Sequence, residues 1–195
     1  MMNLLRVWFI LALFYPLRGV AESDGLSAKS SLISYTFTGA VEGAGTATGL
    51  TLEWSRYIKN SWSVLVGWRS ARDADGVRDR YNATFMGARF FLNNTGVPVY
   101  SNNKDSIISY TFDYMPYVET SVSAGRYLLR TLDELGSAEL SSDFYGVFAG
   151  FGMLWLMGES WAVDLSMGGE NAIGSGGAQL AAFTTFVHIG GIIYL

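Results

Sequence analysis

The segment LTLEWSRYIKNSWSVLVGWRSARD, residues 50–73, decides the fold, because apolar and polar side chains alternate on both sides of a short polar turn. Successive side chains of a β-strand point to opposite faces, so this pattern predicts two antiparallel strands with one apolar and one polar face. In the second strand the apolar face carries Trp62, Val64, Val66 and Trp68. The opposite face carries Ser61, Ser63, Leu65, Gly67 and Arg69.

A second turn, in GFGMLWLMGESWAVDLSMGGEN (150–171), repeats this arrangement. Two tryptophans flank each turn on the apolar face, and these four residues are Trp54, Trp62, Trp155 and Trp161. The indole ring is amphipathic and favours the membrane–water interface, whereas a soluble core has less reason to place it at strand ends. We therefore expect an interfacial aromatic girdle, an apolar face in contact with lipid and a polar face lining a closed barrel.

Composition supports a membrane protein. Apolar residues make up 50% of the chain, charged residues only 15%, and Gly (23) far outnumbers Pro (3). The 195 residues fit one domain. The absence of Cys excludes disulfides, thiol catalysis and Cys-ligated zinc, and the net charge of −4 argues against nucleic acid as a partner.

The first 21 residues have the features of a secretory signal peptide. Arg6 precedes an apolar stretch at 7–15, Pro16 ends that stretch, and Gly19 and Ala21 supply the small residues that signal peptidase requires. Arg18 makes the stretch too short for a membrane-spanning helix. We expect cleavage after residue 21, a periplasmic lead-in at 22–30 and a transmembrane β-barrel at 31–195.

Eight segments are long enough to cross the hydrocarbon as tilted strands. They are 31–43, 47–58, 61–72, 80–93, 115–129, 143–156, 160–172 and 180–195. An even number places both termini on the periplasmic side and the longer polar connections, at 70–80 and 130–143, outside the cell. Residues 94–114 also alternate in part, so ten strands is the alternative.

The segments at 50–73 and 150–171, with GARFFLN (87–93) and PYVETSVSAGRY (116–127), resemble successive strands of the small outer-membrane β-barrels, the group of outer membrane protein A and outer membrane protein X. The resemblance implies an all-β, up-and-down, porin-like barrel in the outer membrane of a Gram-negative cell envelope. It also implies contact with outer-membrane lipid including lipopolysaccharide, assembly by the insertion machinery and periplasmic chaperones, and a monomer. The family has no shared catalytic residue, and we expect no cofactor.

The polar face supplies the candidates for chemistry. Parity places an interior polar network of charged residues and one histidine in the lumen: Glu53, Arg69, Arg89, Glu119, Asp164, Glu170 and His188. The same argument places Thr36 and Thr84 inside and Ile33 on the lipid face. Enclosed charges must pair, because an unpaired buried ion costs several kcal/mol. The network is therefore expected to fill the lumen, and a gated ion or proton path is the alternative.

His188 is the single histidine, and a role as the base of a lipid A deacylase or palmitoyltransferase is the catalytic alternative. Its position near a periplasmic end, and Gly190 where a deacylase pattern has Ser, argue against that role. One His and no Cys also argue against a metal site. A helical membrane segment at 144–158 is a further alternative, but it is short for a helical span.

The last ten residues, FVHIGGIIYL (186–195), predict a closing strand. They resemble the C-terminal insertion signal of outer-membrane barrels in the residues His188, Gly190, Ile193 and Leu195, although that signal more often ends in Phe. The leading functional hypothesis is a non-enzymatic barrel with a structural or surface-interaction role. A narrow channel for ions or small apolar molecules is the alternative, and a lipid A enzyme is the third.

Overall fold

The computed structural model describes residues 24–39, 43–59, 61–73, 80–92, 114–133, 136–157, 161–175 and 180–194. They form eight strands: β1 (Asp24–Gly39), β2 (Gly43–Lys59), β3 (Trp62–Asp73), β4 (Arg80–Phe91), β5 (Tyr114–Asp133), β6 (Gly136–Leu156), β7 (Trp161–Ser175) and β8 (Leu180–Tyr194). The strands pair in chain order as one closed antiparallel barrel. The predicted eight-stranded up-and-down barrel is thus confirmed, and the helical alternative for 144–158 is wrong because that segment lies mostly in β6.

The last strand closes the barrel against the first. Their register runs from Gly25↔Tyr194 to Gly39↔Leu180, so neither strand leaves an unpaired backbone edge in the described region. Closure matters in lipid because hydrocarbon cannot satisfy exposed N–H and C=O groups. The pairing of β8 with β1 is therefore the seam that closes the barrel.

Strand β1 begins at Asp24 rather than at residue 31. It pairs with β2 from Asp24↔Arg56 onward, so most of the segment expected as a periplasmic lead-in forms barrel wall. The expected signal peptide lies outside the described residues. So do residues 93–113, which carry most of the segment behind the ten-strand alternative. In the barrel itself β4 pairs directly with β5.

The two faces follow parity along most strands. In β3, Ser63 and Arg69 are buried, as is Ser61 just before the strand, whereas Trp62 is 47% exposed on the outer wall. Exposed apolar side chains recur on every strand, for example Leu52, Val122 and Ile189. In a barrel this outer apolar band is the surface that contacts lipid.

The expected orientation of some residues of β1 and β4 is wrong, although the alternation itself is regular on both strands. Ile33, expected toward lipid, is only 1% exposed and lies inside. Thr36 and Thr84, expected inside, are exposed on the outer wall, where the Thr84 hydroxyl donates to the Ala124 carbonyl oxygen. The reason is that the inward residues of these two strands at this height are themselves apolar, as in Ile33, Ala83 and Phe85, so polarity does not distinguish inside from outside there. No helix that could span a membrane occurs in the part of the chain that the structure describes.

Candidate functional site: the barrel interior

The barrel has two distinguishable ends. We call the end where β1 begins and β8 finishes the terminal end, and the end where β1 meets β2 the loop end. All seven polar residues predicted for the lumen are buried inside the barrel. They lie in two groups at different heights. Five buried side chains form the group nearer the terminal end, here called the charged layer: Lys29, Glu53, Arg89, Glu119 and Asp164.

Arg89 is the centre of the charged layer. Its Nη2 donates to Glu119 Oε2 at 2.7 Å and to Glu53 Oε1 at 2.9 Å. Its Nε donates to the same Glu119 oxygen at 3.2 Å, and its guanidinium carbon lies 4.3 Å from the centre of the Tyr117 ring. One fully buried cation thus links two carboxylates from different strands, with an aromatic face beside it.

Lys29 is the second cation of the layer, and the sequence analysis missed it because it assigned residue 29 to the lead-in. Its Nζ lies 2.6 Å from Asp164 Oδ2 and 3.3 Å from Glu53 Oε2. The Tyr117 hydroxyl donates to the other Asp164 oxygen at 2.7 Å. Each of the carboxylates Glu53 and Asp164 therefore contacts two partners, Glu53 with Lys29 and Arg89, and Asp164 with Lys29 and Tyr117.

Backbone register explains how Lys29 reaches its partner. Lys29 lies opposite Gly190 on β8, and Gly190 lies opposite Asp164 on β7. Because glycine has no side chain, nothing stands between the two charged groups. A Cβ at Gly190 would overlap the backbone of Ala28 and Lys29, so the close approach of β1 and β8 requires glycine here.

The second polar group lies toward the loop end and is built differently. Arg69 has one carboxylate near it, Glu170, at 3.8 Å. Its guanidinium carbon lies 4.3 Å from the Phe186 ring centre, and 4.9 and 5.2 Å from those of Phe85 and Phe148. Glu170 in turn accepts hydrogen bonds from Ser123 and Tyr81. Aromatic faces replace most of the carboxylates as the surroundings of this cation.

His188 lies opposite Ser31 across the seam, and Ser31 Oγ is 2.7 Å from His188 Nδ1. A hydroxyl beside an imidazole resembles a nucleophile with its base. Both residues are buried in the lumen, and Ser31 also bonds Thr51 while the His188 ring stacks on Phe186. A pair enclosed in this way has no surface on which a lipid substrate could bind.

Two clusters of buried apolar side chains occupy the lumen on either side of the charged layer. The terminal plug consists of six buried side chains: Phe91, Met115, Tyr117, Leu154, Ala162 and Ile192. The loop-end plug is mainly aromatic and consists of Tyr81, Tyr127, Phe144, Phe148 and Phe186, with Ile33 and small alanines. Ring centres in the loop-end plug are as close as 4.4 Å, between Tyr127 and Phe144. The charged layer thus lies between two packed apolar clusters, and Arg69 and Glu170 contact the aromatic rings of the loop-end plug.

The other predicted sites lie on the outer wall or at the seam. Trp62 and Trp161 are exposed, and Trp54 and Trp155 are half-buried, all toward the terminal end. His188, Gly190 and Ile193 lie in β8, whereas Leu195 falls outside the described residues. Across the described strands and turns, no three His, Cys, Asp or Glu side chains come together in a way that could hold a metal ion.

The sequence matches no protein family and no curated relative. By structure the chain resembles Neisserial surface protein A (NspA), with a TM-score of 0.61 at 9% identity, covering 89% of this chain and 97% of that protein. It also resembles the outer membrane protein OprG from Pseudomonas aeruginosa, with a TM-score of 0.50 at 11% identity, covering 89% of this chain and 95% of OprG.

Similarity at such low identity establishes the fold, and function has to be argued from the chain's own residues. The eight strands, their closure and the apolar outer wall agree with these comparisons. The chain therefore has the fold of the small eight-stranded β-barrels of the bacterial outer membrane.

Proposed function

We propose that this protein is a non-enzymatic outer-membrane barrel with a structural or surface-interaction role in the cell envelope. The observation that carries the proposal is the closed lumen: a layer of paired charges lies between two apolar plugs. An eight-stranded barrel is just wide enough for side chains to fill. A lumen filled in this way supports a rigid wall better than it supports transport.

Passage through the lumen would have to disrupt both kinds of packing. At the terminal end the Phe91 and Tyr117 rings are in edge contact, with centres 5.9 Å apart, and both residues are almost fully buried. On the loop-end side of these rings, the Arg89 side chain would have to break its ion pairs with two carboxylates. Breaking a buried ion pair leaves an uncompensated charge and costs about 3–5 kcal/mol.

The loop end offers the surface for interaction. Beyond the last barrel pairings, β5 and β6 continue as a two-stranded ribbon from Leu129↔Leu140 to Asp133↔Gly136. At ~3.4 Å per residue, this ribbon extends the hairpin by ~15 Å along its strands. The first residues of β1 and the last residues of β8, paired as Gly25↔Tyr194, lie at the other end. We therefore place the terminal end in the periplasm and the ribbon outside the cell. Loops and ribbons carried on a rigid scaffold commonly provide binding surfaces.

We propose the lipid contacts, the assembly route and the oligomeric state together with this placement. The barrel contacts outer-membrane lipid including lipopolysaccharide, and it is assembled by periplasmic chaperones and the insertion machinery. It acts as a monomer, without a cofactor and without nucleic acid. Support for the assembly route comes from β8, whose outward face carries Ile189 and Ile193 and whose inward face carries His188.

Planar-bilayer recording tests the closed lumen. The purified protein is expected to give no reproducible single-channel steps. Arg126→Ala, which removes an exposed arginine outside the lumen, is the matched control for Arg89→Ala and is expected to stay equally silent. Reproducible steps in the wild type that Arg89→Ala abolishes would reject the structural role and establish the narrow channel instead.

A separate measurement tests the absence of enzymatic activity. Lipid A from cells with and without the protein is expected to give identical mass spectra. A mass change that Ser31→Ala removes would overturn the proposal, because Ser31 is the hydroxyl beside His188.

A further inference from the structure

A row of polar side chains crosses four neighbouring strands on the outer wall at the loop end. On β3 and β4, Trp68 Nε1 donates to Asn82 Oδ1 at 2.6 Å. Asn82 lies opposite Arg126 in the register of β4 and β5. On β5 and β6, Arg126 Nε donates to Asp143 Oδ1 at 2.7 Å. We call these four residues the outer polar row.

A second arginine lies just beyond the row. Arg72, the outward residue near the end of β3, is exposed. Arg72 on β3 and Arg126 on β5 lie on either side of β4, two residues apart in the register. Two exposed arginines therefore lie at one corner of the wall, against the single carboxylate of Asp143 in the row.

The height of this corner agrees with a lipid headgroup. Trp62 and Arg72 are both outward residues of β3, and at ~3.4 Å per residue they lie ~34 Å apart along the strand. A tilt of about 45° reduces this to ~24 Å along the membrane normal, close to the ~25 Å of a barrel's apolar band. Because Trp62 belongs to the girdle at the terminal end, Arg72 lies at the opposite membrane surface.

Arg126 keeps most of its hydrogen-bonding capacity. A guanidinium has five N–H donors, and the bond to Asp143 uses the one on Nε. The Arg126 side chain is 64% exposed. Tyr145, exposed on β6 one outward position toward the terminal end from Asp143, supplies an aromatic surface at the level where acyl chains meet headgroups.

We propose that this corner binds the phosphate of a phosphorylated saccharolipid, lipid A, in the outer leaflet. Arg72 and Arg126 hold the phosphate, and the row of Trp68 and Asn82 fixes the wall beneath it. Charge complementarity supports a phosphate, and the height and the flanking apolar wall support a lipid carrying it over free phosphate in solution. The inference rests on the proposed outer-membrane function and on the placement of the loop end outside.

Binding of lipid A by the full-length protein in mild detergent, followed by native mass spectrometry, tests the site. The probes are bisphosphorylated lipid A and the same lipid with both phosphates removed. The wild type is expected to favour the phosphorylated lipid, and Arg72→Gln with Arg126→Gln is expected to weaken that binding roughly 30-fold. Asp143→Asn, which removes the competing carboxylate, is expected to bind as tightly as the wild type or more tightly.

Arg56→Gln is the matched control for the single variant Arg126→Gln, since Arg56 lies on the outer wall near the terminal end and its replacement removes one positive charge as well. It is expected to leave binding unchanged. Equal affinity of the wild type for the two lipids, or equal affinity of wild type and double variant for the phosphorylated lipid, would overturn the site. If the double variant does not fold, the site is still tested by the affinity of the wild type for the two lipids and by the affinity of Arg126→Gln for the phosphorylated lipid.

The fold behind the proposed function is checked in the same samples. A folded barrel migrates differently on a gel before and after boiling. Wild-type protein without that shift would reject the barrel and its proposed function. Wild-type protein with the shift but without preference for the phosphorylated lipid would reject only the lipid A site.

Discussion

The inner and outer faces of the same eight strands place charge in opposite ways. Inside, three cations and four carboxylates are almost fully buried, and each cation lies beside at least one carboxylate. Outside, apolar side chains such as Val122 and Ile189 cover the middle of the wall. The charged side chains described there, Arg56, Arg72, Arg126 and Asp143, lie toward its two ends.

The difference shows that surroundings, rather than burial alone, decide where this chain tolerates charge. A buried charge is stable when partners and rings are fixed around it, as for Arg89. The middle of the lipid-facing wall, as far as the structure describes it, carries apolar side chains instead of charged partners, so the same charge would be exposed to hydrocarbon there. The effect of moving or removing a charge on the free energy of unfolding should therefore depend on the face of the strand and on the position along the barrel axis.

The largest effect is expected from Arg89→Ala on the inner face. Removing this cation leaves Glu119 without its nearest cation and Glu53 with Lys29 alone, which should lower the free energy of unfolding by about 3–5 kcal/mol. Urea unfolding in lipid vesicles, followed by tryptophan fluorescence, measures the change. Replacing the pair together, as Arg89→Met with Glu119→Gln, should recover part of the loss. A loss below ~1 kcal/mol in the single variant would mean that the charged layer does not hold the lumen together.

A smaller effect is expected from Val66→Arg on the outer face. Val66 points outward within the apolar band of β3, and an arginine near the midplane should cost about 2–4 kcal/mol. The same unfolding experiment measures it, with Val66→Leu as the control that keeps the wall apolar. If Val66→Arg were as stable as Val66→Leu, the assignment of this face to lipid would be wrong.

The smallest effect is expected from Arg126→Ala at the loop end. Arg126 and Asp143 form an ion pair at 2.7 Å, but both side chains are more than half exposed. Exposed pairs contribute about 0–1 kcal/mol, because water and salt screen them. The variant should thus unfold within ~1 kcal/mol of the wild type in vesicles that lack lipid A. A loss of unfolding free energy comparable to that of Arg89→Ala would mean that charges on the outer and inner faces contribute equally to stability.

Much of the fold could be predicted where tryptophans mark the membrane interface. Trp62 and Trp161 fixed the parity of β3 and β7, and with it the inward positions of Arg69, Asp164 and Glu170. On β1 this marker is absent, and the outer wall carries Ser30, Ser34 and Thr36. Because Ile33 belongs to the apolar loop-end plug, the more apolar side of β1 faces inward at that height, opposite to the rule used for β3.

The pairing of interior charges could not be predicted from spacing alone. Arg89 and Glu119 are direct neighbours in the register, which requires knowledge of how β4 aligns with β5. Lys29 and Asp164 are not neighbours at all, since β8 lies between their strands. Their contact depends on barrel closure and on the absence of a side chain at Gly190. The alternation along a strand therefore identifies which charged residues face the lumen, but it does not identify which of them form ion pairs.

The position of Lys29 bears on the order of assembly. Its partner Asp164 lies on β7, and the two charges come within 2.6 Å only across β8, the strand that closes the barrel. Before that strand pairs with β1, this ion pair cannot form in its final geometry, so Lys29 lacks its shortest contact. Without β8, Lys29 keeps only its contact with Glu53 on the neighbouring strand β2. Completion of the wall therefore adds the second carboxylate partner of this lysine, and the finished barrel differs from an unfinished one in holding Lys29 between two carboxylates instead of one.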